Sequence, residues 1–215
     1  MLTFAEELLL LAHDEKSGGF ANIQDLLMNT ALAGAVLMDL AILNRIDTDL
    51  STLVTLDRTP TGEKLLDYGL TELAALPAKT STIDALDLLR KHGATFEQMA
   101  IARLIERGIL REQGGRILWV FETRRYPLID GKELQEVKRR IADLLLSDDI
   151  PDSRDVVIIA LAQACGLLRR VFSESELRDA QKRIDQIAKL DLIGQAMSDM
   201  MSELSAALTR LLPYS

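Results

Sequence analysis

The chain has 215 residues, of which 48% are hydrophobic and 27% are charged. This length and composition suffice to build one compact core and argue against general disorder. The net charge of -8 repels nucleic acid and anionic lipid, so a partner of either class would require a local basic patch. We therefore expect a single globular domain over residues 1–215.

The sequence offers few signs of export or of a membrane span. Its apolar runs are shorter than the roughly 18 residues that a spanning helix needs, and no basic residue precedes the first apolar run, as one would in a signal peptide. Cys165 is the single cysteine and has no partner for an internal disulfide, which fits a reducing compartment. These features predict a cytoplasmic protein.

Helix-capping residues and apolar periodicity predict a series of helices in the first half of the chain. Thr3 and Glu6 have the spacing of a capping box, which predicts a short helix through Leu11. Apolar residues at helical spacing predict a second helix over residues 23–43, with Asn44 as its left-handed end. Short strands are expected around residues 45–47 and 53–56, and further helices over residues 63–76, 85–91 and 95–106.

The second half is predicted to be helical after one hairpin. Ser173 and Glu176 repeat the capping-box spacing at the start of one of these helices. The helices are expected over residues 132–146, 153–172, 174–190 and 193–211. The fold class is therefore mainly α, a single compact helical domain with short β-hairpins.

The predicted hairpin lies near the middle of the chain. Its strands are expected over residues 109–111 and 116–121. Gly114 and Gly115 fall in the turn between them, where glycine adopts positive φ angles at little steric cost.

The second predicted strand is apolar at five consecutive positions. Because successive strand residues point to opposite faces, both faces of this strand are apolar. Such a hairpin either buries both faces in the core or presents one to a membrane or to a second copy of the chain. The candidate membrane or self-association residues are Ile117, Leu118, Trp119, Val120 and Phe121.

Arginines surround this hairpin in an otherwise acidic chain. Guanidinium forks suit phosphate oxygens. The alternative is a solvated face that Glu106, Glu112 and Glu122 neutralise. The phosphate-contacting candidates are Arg111, Arg116, Arg124 and Arg125.

A helix followed by a short hairpin is also the outline of a winged helix. In that alternative, the preceding helix would bring Arg103 and Arg107 to nucleic acid. Glu97 and Glu106 on the same helix oppose this role because they repel phosphate. A winged-helix nucleic-acid-binding protein is therefore our second hypothesis, and nucleic acid is not the expected partner.

Residues suited to catalysis or metal binding do not cluster in the sequence. His13 and His92 are far apart, and no His-x-x-x-His or Cys-x-x-Cys spacing occurs. The chain also has no Gly-rich phosphate loop and no nucleophile elbow. We expect no catalytic residue, no metal and no cofactor, and hence a non-enzymatic protein.

Six blocks of sequence resemble the Golgi phosphoprotein 3 family, in the same order and over nearly the whole chain. They are residues 2–11, 32–41, 61–67, 104–110 (followed by the hairpin and Tyr126-Pro127-Leu128), 160–165 and 180–184. The resemblance implies a compact helical domain with short hairpins and no catalytic activity. It also implies peripheral Golgi proteins that bind phosphatidylinositol 4-phosphate and adaptor partners, with the hairpin used for membrane insertion and self-association.

The positions of that family's headgroup pocket differ in this chain. The resemblance implies a tryptophan and three arginines, and the residues that we align with them are Gln24, Ala33, Ala94 and Glu97. Loss of three cations and gain of a carboxylate predict that this pocket does not hold phosphate. The pattern suggests a bacterial relative. We expect it to lie peripherally at the inner face of a membrane, with anionic lipid headgroups or a second copy as partners of the hairpin.

Overall fold

The computed structural model describes residues 1–48, 51–117, 121–147 and 150–188, and within these ranges it describes only the backbone of residues 115–117, 121–124 and 188. The mainly helical fold predicted from the sequence is confirmed. The helices are α1 Phe4–Ala12, α2 Asp25–Ile42, α3 Lys64–Leu73, α4 Thr82–Arg90, α5 Gly93–Glu106, α6 Lys132–Leu145, α7 Ser153–Ala164 and α8 Glu174–Ala188, with a 3₁₀ helix at Leu167–Arg170.

The strands form three small antiparallel sheets within the described residues. Two are hairpins, with orders β1-β2 and β6-β7, and the third has the order β3-β4-β5. The strands are β1 His13–Asp14, β2 Gly19–Phe20, β3 Ile46–Thr48, β4 Thr52–Thr55, β5 Lys79–Ser81, β6 Gln113–Ile117 and β7 Phe121–Arg125.

Helices α1 and α2 form the centre of the core. Every residue of α1 is buried, and α2 packs against α1, α3, α4, α5 and α7. With 18 residues and a mean hydropathy of 1.5, α2 is long and apolar enough to span a membrane, which our expectation from apolar runs missed. Two thirds of it lie buried inside the protein, as in the core helix of a globular domain.

Local end signals locate several helices correctly. The Thr3 hydroxyl accepts from the Glu6 N–H, and the Glu6 carboxylate accepts from the Thr3 N–H at 2.6 Å, so the capping box is confirmed. Asn44 adopts the predicted left-handed conformation, with φ of 53°. Ser173 and Glu176 also bond reciprocally at the start of α8.

Several helix boundaries were predicted wrongly. Helix α4 begins at Thr82 rather than at Ala85, because Ser81 is its N-cap. Helix α5 begins at Gly93 rather than at Thr95, and a Cβ on Gly93 would lie 2.4 Å from the Asn29 Cβ of α2. The single helix expected over residues 153–172 ends at Ala164, after which Gly166 adopts a φ of 67°. The helix expected over residues 193–211 lies outside the described residues.

The hairpin was predicted with the wrong strands and the wrong turn. Its strands are β6 and β7, and Gly114 and Gly115 lie within β6 opposite Arg124 and Thr123. The reason is that Ile109 and Leu110, expected in the first strand, are buried in the core directly after α5. Pairing therefore begins later, and Leu118, Trp119 and Val120 connect the strands, outside the described residues.

Candidate membrane or self-association site

The register of the β6–β7 hairpin puts the apolar candidates at its distal end. Gln113 pairs with Arg125 near the helical body, and Ile117 pairs with Phe121 at the other end. Four steps of about 3.3 Å separate positions 113 and 117, or about 13 Å along the strand. Ile117 and Phe121, the two ends of the apolar pentapeptide, are therefore paired with each other instead of lying along one strand, and Leu118, Trp119 and Val120 lie outside the described residues.

The hairpin stands off the helical body. Strands β6 and β7 form a two-stranded sheet, and no other described helix or strand packs against them at more than isolated positions. A two-stranded hairpin is marginally stable by itself, so its position depends on how its base is held.

The base of the hairpin is clamped by the β1–β2 segment. The Tyr126 N–H donates to the Gly18 carbonyl at 2.6 Å, and the His13 Nε2–H donates to the Tyr126 carbonyl at 2.8 Å. The Phe20 ring lies between the His13 and Tyr126 rings, with centroids 5.8 and 5.9 Å away. Sequence reasoning missed this clamp because its partners, such as His13 and Tyr126, are 113 residues apart in the chain.

A second anchor joins the base to the core. Leu110 forms an isolated bridge with Leu128, and the Arg111 N–H donates to the Pro127 carbonyl at 3.1 Å. Leu110 is only 1% exposed. The base of the hairpin is thus fixed to the core through a fully buried residue.

The four predicted phosphate-contacting arginines belong to the same hairpin. Arg111 and Arg125, near its base, are both exposed. In the backbone register Arg116 lies opposite Glu122 and Arg124 opposite Gly114. The structure therefore brings the four residues together along one hairpin, between its base and the apolar end.

Arg103 and Arg107, by contrast, serve a buried ion network on α1. The Arg103 Nε lies 3.2 Å from Glu6 Oε1, Arg107 Nη1 lies 3.8 Å from Glu6 Oε2, and Arg103 also pairs with Glu63. The Glu6 side chain is fully buried. These arginines compensate a core carboxylate, so the described contacts do not favour the winged-helix alternative in which they would meet nucleic acid.

The other side of α1 carries a second set of buried ion pairs. Glu7 lies 2.8 Å from Arg140 and 3.3 Å from Arg154, and Arg154 lies 3.6 Å from Asp39. The Phe4 N–H donates to Asp39 at 2.8 Å. Burial nevertheless raises the pKa of Asp39 to about 7, because its desolvation outweighs these favourable contacts. This network connects α1 to α2, α6 and α7 and is structural.

The positions aligned with the family's headgroup pocket carry no cation. Gln24 precedes α2 and is exposed, Ala33 is fully buried, and Ala94 lies exposed in the first turn of α5. Burial, and secondarily the Asp25 carboxylate, raises the pKa of Glu97. Two carboxylates thus interact where the resemblance implies a cationic pocket.

The histidines and the cysteine have structural surroundings. The Tyr68 hydroxyl lies 2.8 Å from His92 Nδ1, and Glu72 lies 3.2 Å from His92 Nε2. Burial raises the pKa of the Cys165 thiol to about 12, which keeps the thiol protonated. Within the described ranges, no group of three or more histidine, cysteine or acidic side chains is arranged to hold a metal ion.

Comparison with known proteins settles the family. The family model described as Golgi phosphoprotein 3 (GPP34) matches residues 4–204. This chain belongs to the Golgi phosphoprotein 3 family. A curated Golgi phosphoprotein 3 relative, Vacuolar protein sorting-associated protein 74 of Eremothecium gossypii, is 26% identical over 216 aligned residues. The match covers 83% of this chain and 64% of that protein, so the chain spans less than two thirds of the relative's length.

Proposed function

We propose that this protein is a non-enzymatic peripheral membrane protein whose β6–β7 hairpin inserts its apolar end into a bilayer. The arginines of the hairpin then lie at the level of the lipid phosphates. The family and the relative support a Golgi-associated interaction protein, and a protein of this kind acts by binding on the cytoplasmic side of a membrane.

The observation that carries the proposal is the register of the hairpin. It pairs Ile117 with Phe121 at the end distant from the helical body, so the three residues between them, one of which is Trp119, connect the strands. Tryptophan is favoured at membrane interfaces because its ring is apolar while its N–H needs a polar neighbour.

The charge distribution agrees with this orientation. Between positions 111 and 125 the chain has four arginines and two glutamates, a net charge of +2 in a protein whose total is -8. A basic residue near an anionic bilayer contributes about 1 kcal/mol of attraction. The hairpin is thus a region where an acidic protein can approach anionic lipid with its apolar end leading.

The lipid that we expect is an anionic one without a specific headgroup. The acidic pair Asp25 and Glu97 lies at the aligned pocket, where it would repel a phosphorylated inositol. Binding should therefore follow the surface charge of the vesicle rather than its phosphoinositide content.

Vesicle flotation tests the proposal. The full chain is mixed with vesicles of phosphatidylcholine, of phosphatidylcholine with phosphatidylserine, and of phosphatidylcholine with phosphatidylinositol 4-phosphate at equal surface charge. We expect the wild-type chain to float with both anionic vesicles. The double variant Leu118→Ser/Trp119→Ser should no longer float with either of them. Ile83→Ser is the matched control, since Ile83 is 49% exposed on α4.

Two results would overturn the membrane role. One is a wild-type chain that ignores all three vesicles. The other is equal loss of flotation in the Ile83→Ser control. If the hairpin variant instead abolishes dimers in analytical ultracentrifugation while vesicle binding is absent throughout, the apolar end is a self-association surface.

A further inference from the structure

A cleft of about 390 Å³ lies where the end of α7, the 3₁₀ helix and α8 meet. Sites for small molecules usually measure about 300 to 1,000 Å³. None of the residues of the hairpin or of the α1 ion pairs lines it, so it is a separate feature. Its lining includes Gln163, Leu168, Arg169, Leu177, Arg178 and Gln181.

The cleft owes its shape to the break after α7. Gly166, which also lines it, has a φ of 67°, and a Cβ there would meet no other heavy atom within 4 Å. Glycine is therefore favoured at this position by the left-handed backbone conformation, and not by a lack of space for a side chain. The break redirects the chain so that Arg169 on the 3₁₀ helix and Arg178 on α8 line the same cleft.

The side chains of these two arginines are exposed. Several other arginines engage carboxylates, as in Arg45–Asp57 at 3.1 Å and Arg139–Asp143 at 2.7 Å. Among the described residues, the side chains of Arg169 and Arg178 have neither an ion pair nor a hydrogen-bond partner, so both guanidinium groups are available to a ligand.

A carboxylate that could neutralise Arg178 is available nearby. Glu174 lies four residues before it on α8, the spacing of a favourable helical ion pair. The described contacts nevertheless contain no pair between them, and Arg178 borders the cleft instead. Two guanidinium groups that pair with no carboxylate of the described residues therefore border one small cavity, in a protein with a net charge of -8.

The remaining walls add hydrogen-bonding and apolar surface. The Gln181 Nε2–H donates to Asp185 at 2.7 Å, which leaves its carbonyl oxygen free to accept from a ligand hydroxyl. Gln163 is exposed at the rim, while Leu168 is 1% exposed and forms an apolar floor. The cleft thus combines cationic, amide and apolar surfaces in one cavity.

We propose that this cleft binds the phosphomonoester of a small hydroxylated ligand, with Arg169 and Arg178 contacting the phosphate. A phosphomonoester presents three acceptor oxygens, enough for two guanidinium forks. The glutamine amides then contact hydroxyl groups on the rest of the ligand. The same chemistry occurs in soluble organic phosphates and in lipid headgroups, and the test separates these sources.

Isothermal titration calorimetry of the full chain at low salt tests the soluble source, with inorganic phosphate and glycerol 3-phosphate as probes. We expect both to bind, glycerol 3-phosphate more tightly. Arg169→Gln and Arg178→Gln should each weaken binding about tenfold, the effect of one charge-assisted hydrogen bond. Arg139→Gln, at an exposed arginine outside the cleft, is the matched control and should leave binding unchanged. Urea unfolding of each variant confirms that it remains folded.

Vesicles containing phosphatidate test the lipid source, in a Leu118→Ser/Trp119→Ser background that removes the contribution of the hairpin. Binding that disappears with Arg169→Gln/Arg178→Gln supports a phosphorylated headgroup as the ligand, even if soluble probes fail. The proposal is overturned if no probe binds in either format, or if the double arginine variant binds as tightly as the wild type.

Discussion

Helix α1 and the β6–β7 hairpin both combine arginines with carboxylates, yet they use them in opposite ways. On α1, Glu6 and Glu7 are 0% and 2% exposed, and arginines from α5, α6 and α7 compensate them. On the hairpin, Arg111 and Arg125 lie exposed beside the base. The difference is the dielectric environment, because a buried charge needs a partner and an exposed charge does not.

The comparison shows why a basic cluster in a sequence is ambiguous. Arg103 and Arg107 are only a few residues from Arg111, but they contact a buried carboxylate on α1. Their role is decided by the packing of α1 against α5, two helices that are distant in the chain. Four predictions test this division between a structural ion network and an exposed binding element.

The largest expected effect is the loss of a carboxylate from the network. Glu7→Gln removes one carboxylate partner from both Arg140 and Arg154, which then keep only Asp155 and Asp39 respectively. We expect the free energy of unfolding to fall by about 3 kcal/mol, because the buried network loses its central charge. Urea denaturation followed by circular dichroism measures it. Asp143→Asn, which breaks an exposed pair with Arg139, should cost less than about 0.5 kcal/mol. Equal losses in the two variants would contradict the division.

The next effect is a dependence of stability on pH that originates at Asp39. Its pKa is about 7 in the folded protein against an ordinary 3.8, so the folded state holds this proton more tightly than the unfolded state does. The contribution of Asp39 to the free energy of unfolding is therefore greatest below about pH 4. It falls by about 3 kcal/mol as the pH rises towards 7.

Urea titrations between pH 4 and 8 on the wild type and Asp39→Asn isolate this contribution. The difference between the two free energies of unfolding should change with pH over this window, since the amide of the variant cannot ionise. A difference that stays constant would show that Asp39 is ionised throughout, and that its contacts with Phe4 and Arg154 outweigh its burial.

A smaller effect is expected where the hairpin is clamped. Gly18 has a φ of 69° and accepts from the Tyr126 N–H, so Gly18→Ala forces an alanine into a left-handed conformation. We expect a loss of about 1 kcal/mol in the free energy of unfolding. Gly114→Ala is the control, because its Cβ would meet nothing within 4 Å and its φ is not positive. A cost at Gly114 equal to that at Gly18 would count against the clamp.

The smallest effect on stability is expected from the exposed hairpin arginines. Arg111→Gln/Arg125→Gln should change the free energy of unfolding by less than about 0.5 kcal/mol, since both side chains are exposed. Binding to phosphatidylserine vesicles in the flotation assay should still weaken about thirtyfold, since the two lost charges contribute about 1 kcal/mol each. A variant that is destabilised but floats normally would assign these arginines to the fold instead.

Local signals in the sequence were sufficient for much of the secondary structure. The capping box at Thr3, the left-handed Asn44 and the cap at Ser173 act within a few residues, so their outcome does not depend on distant packing. The order of six short blocks was also sufficient for the family, which the match over residues 4–204 confirms.

The register of the hairpin could be determined only from the tertiary structure. Its paired glycines are typical of a turn, but the register was decided by the burial of Ile109 and Leu110 in the core and by the bridge from Leu110 to Leu128. A shift of register changes which residues pair, and here it pairs Ile117 with Phe121 at the distal end, whereas the sequence had predicted both in one strand.

The sequence by itself determined that this protein is mainly helical, that it belongs to its family and that it has an apolar, arginine-flanked hairpin. Only the tertiary structure decided which arginines are available for a ligand. Arg103 and Arg107 face a buried glutamate, whereas Arg169 and Arg178 line an open cleft. The physical reason is that burial and pairing depend on elements distant in the chain, while capping and periodicity are complete within a single turn.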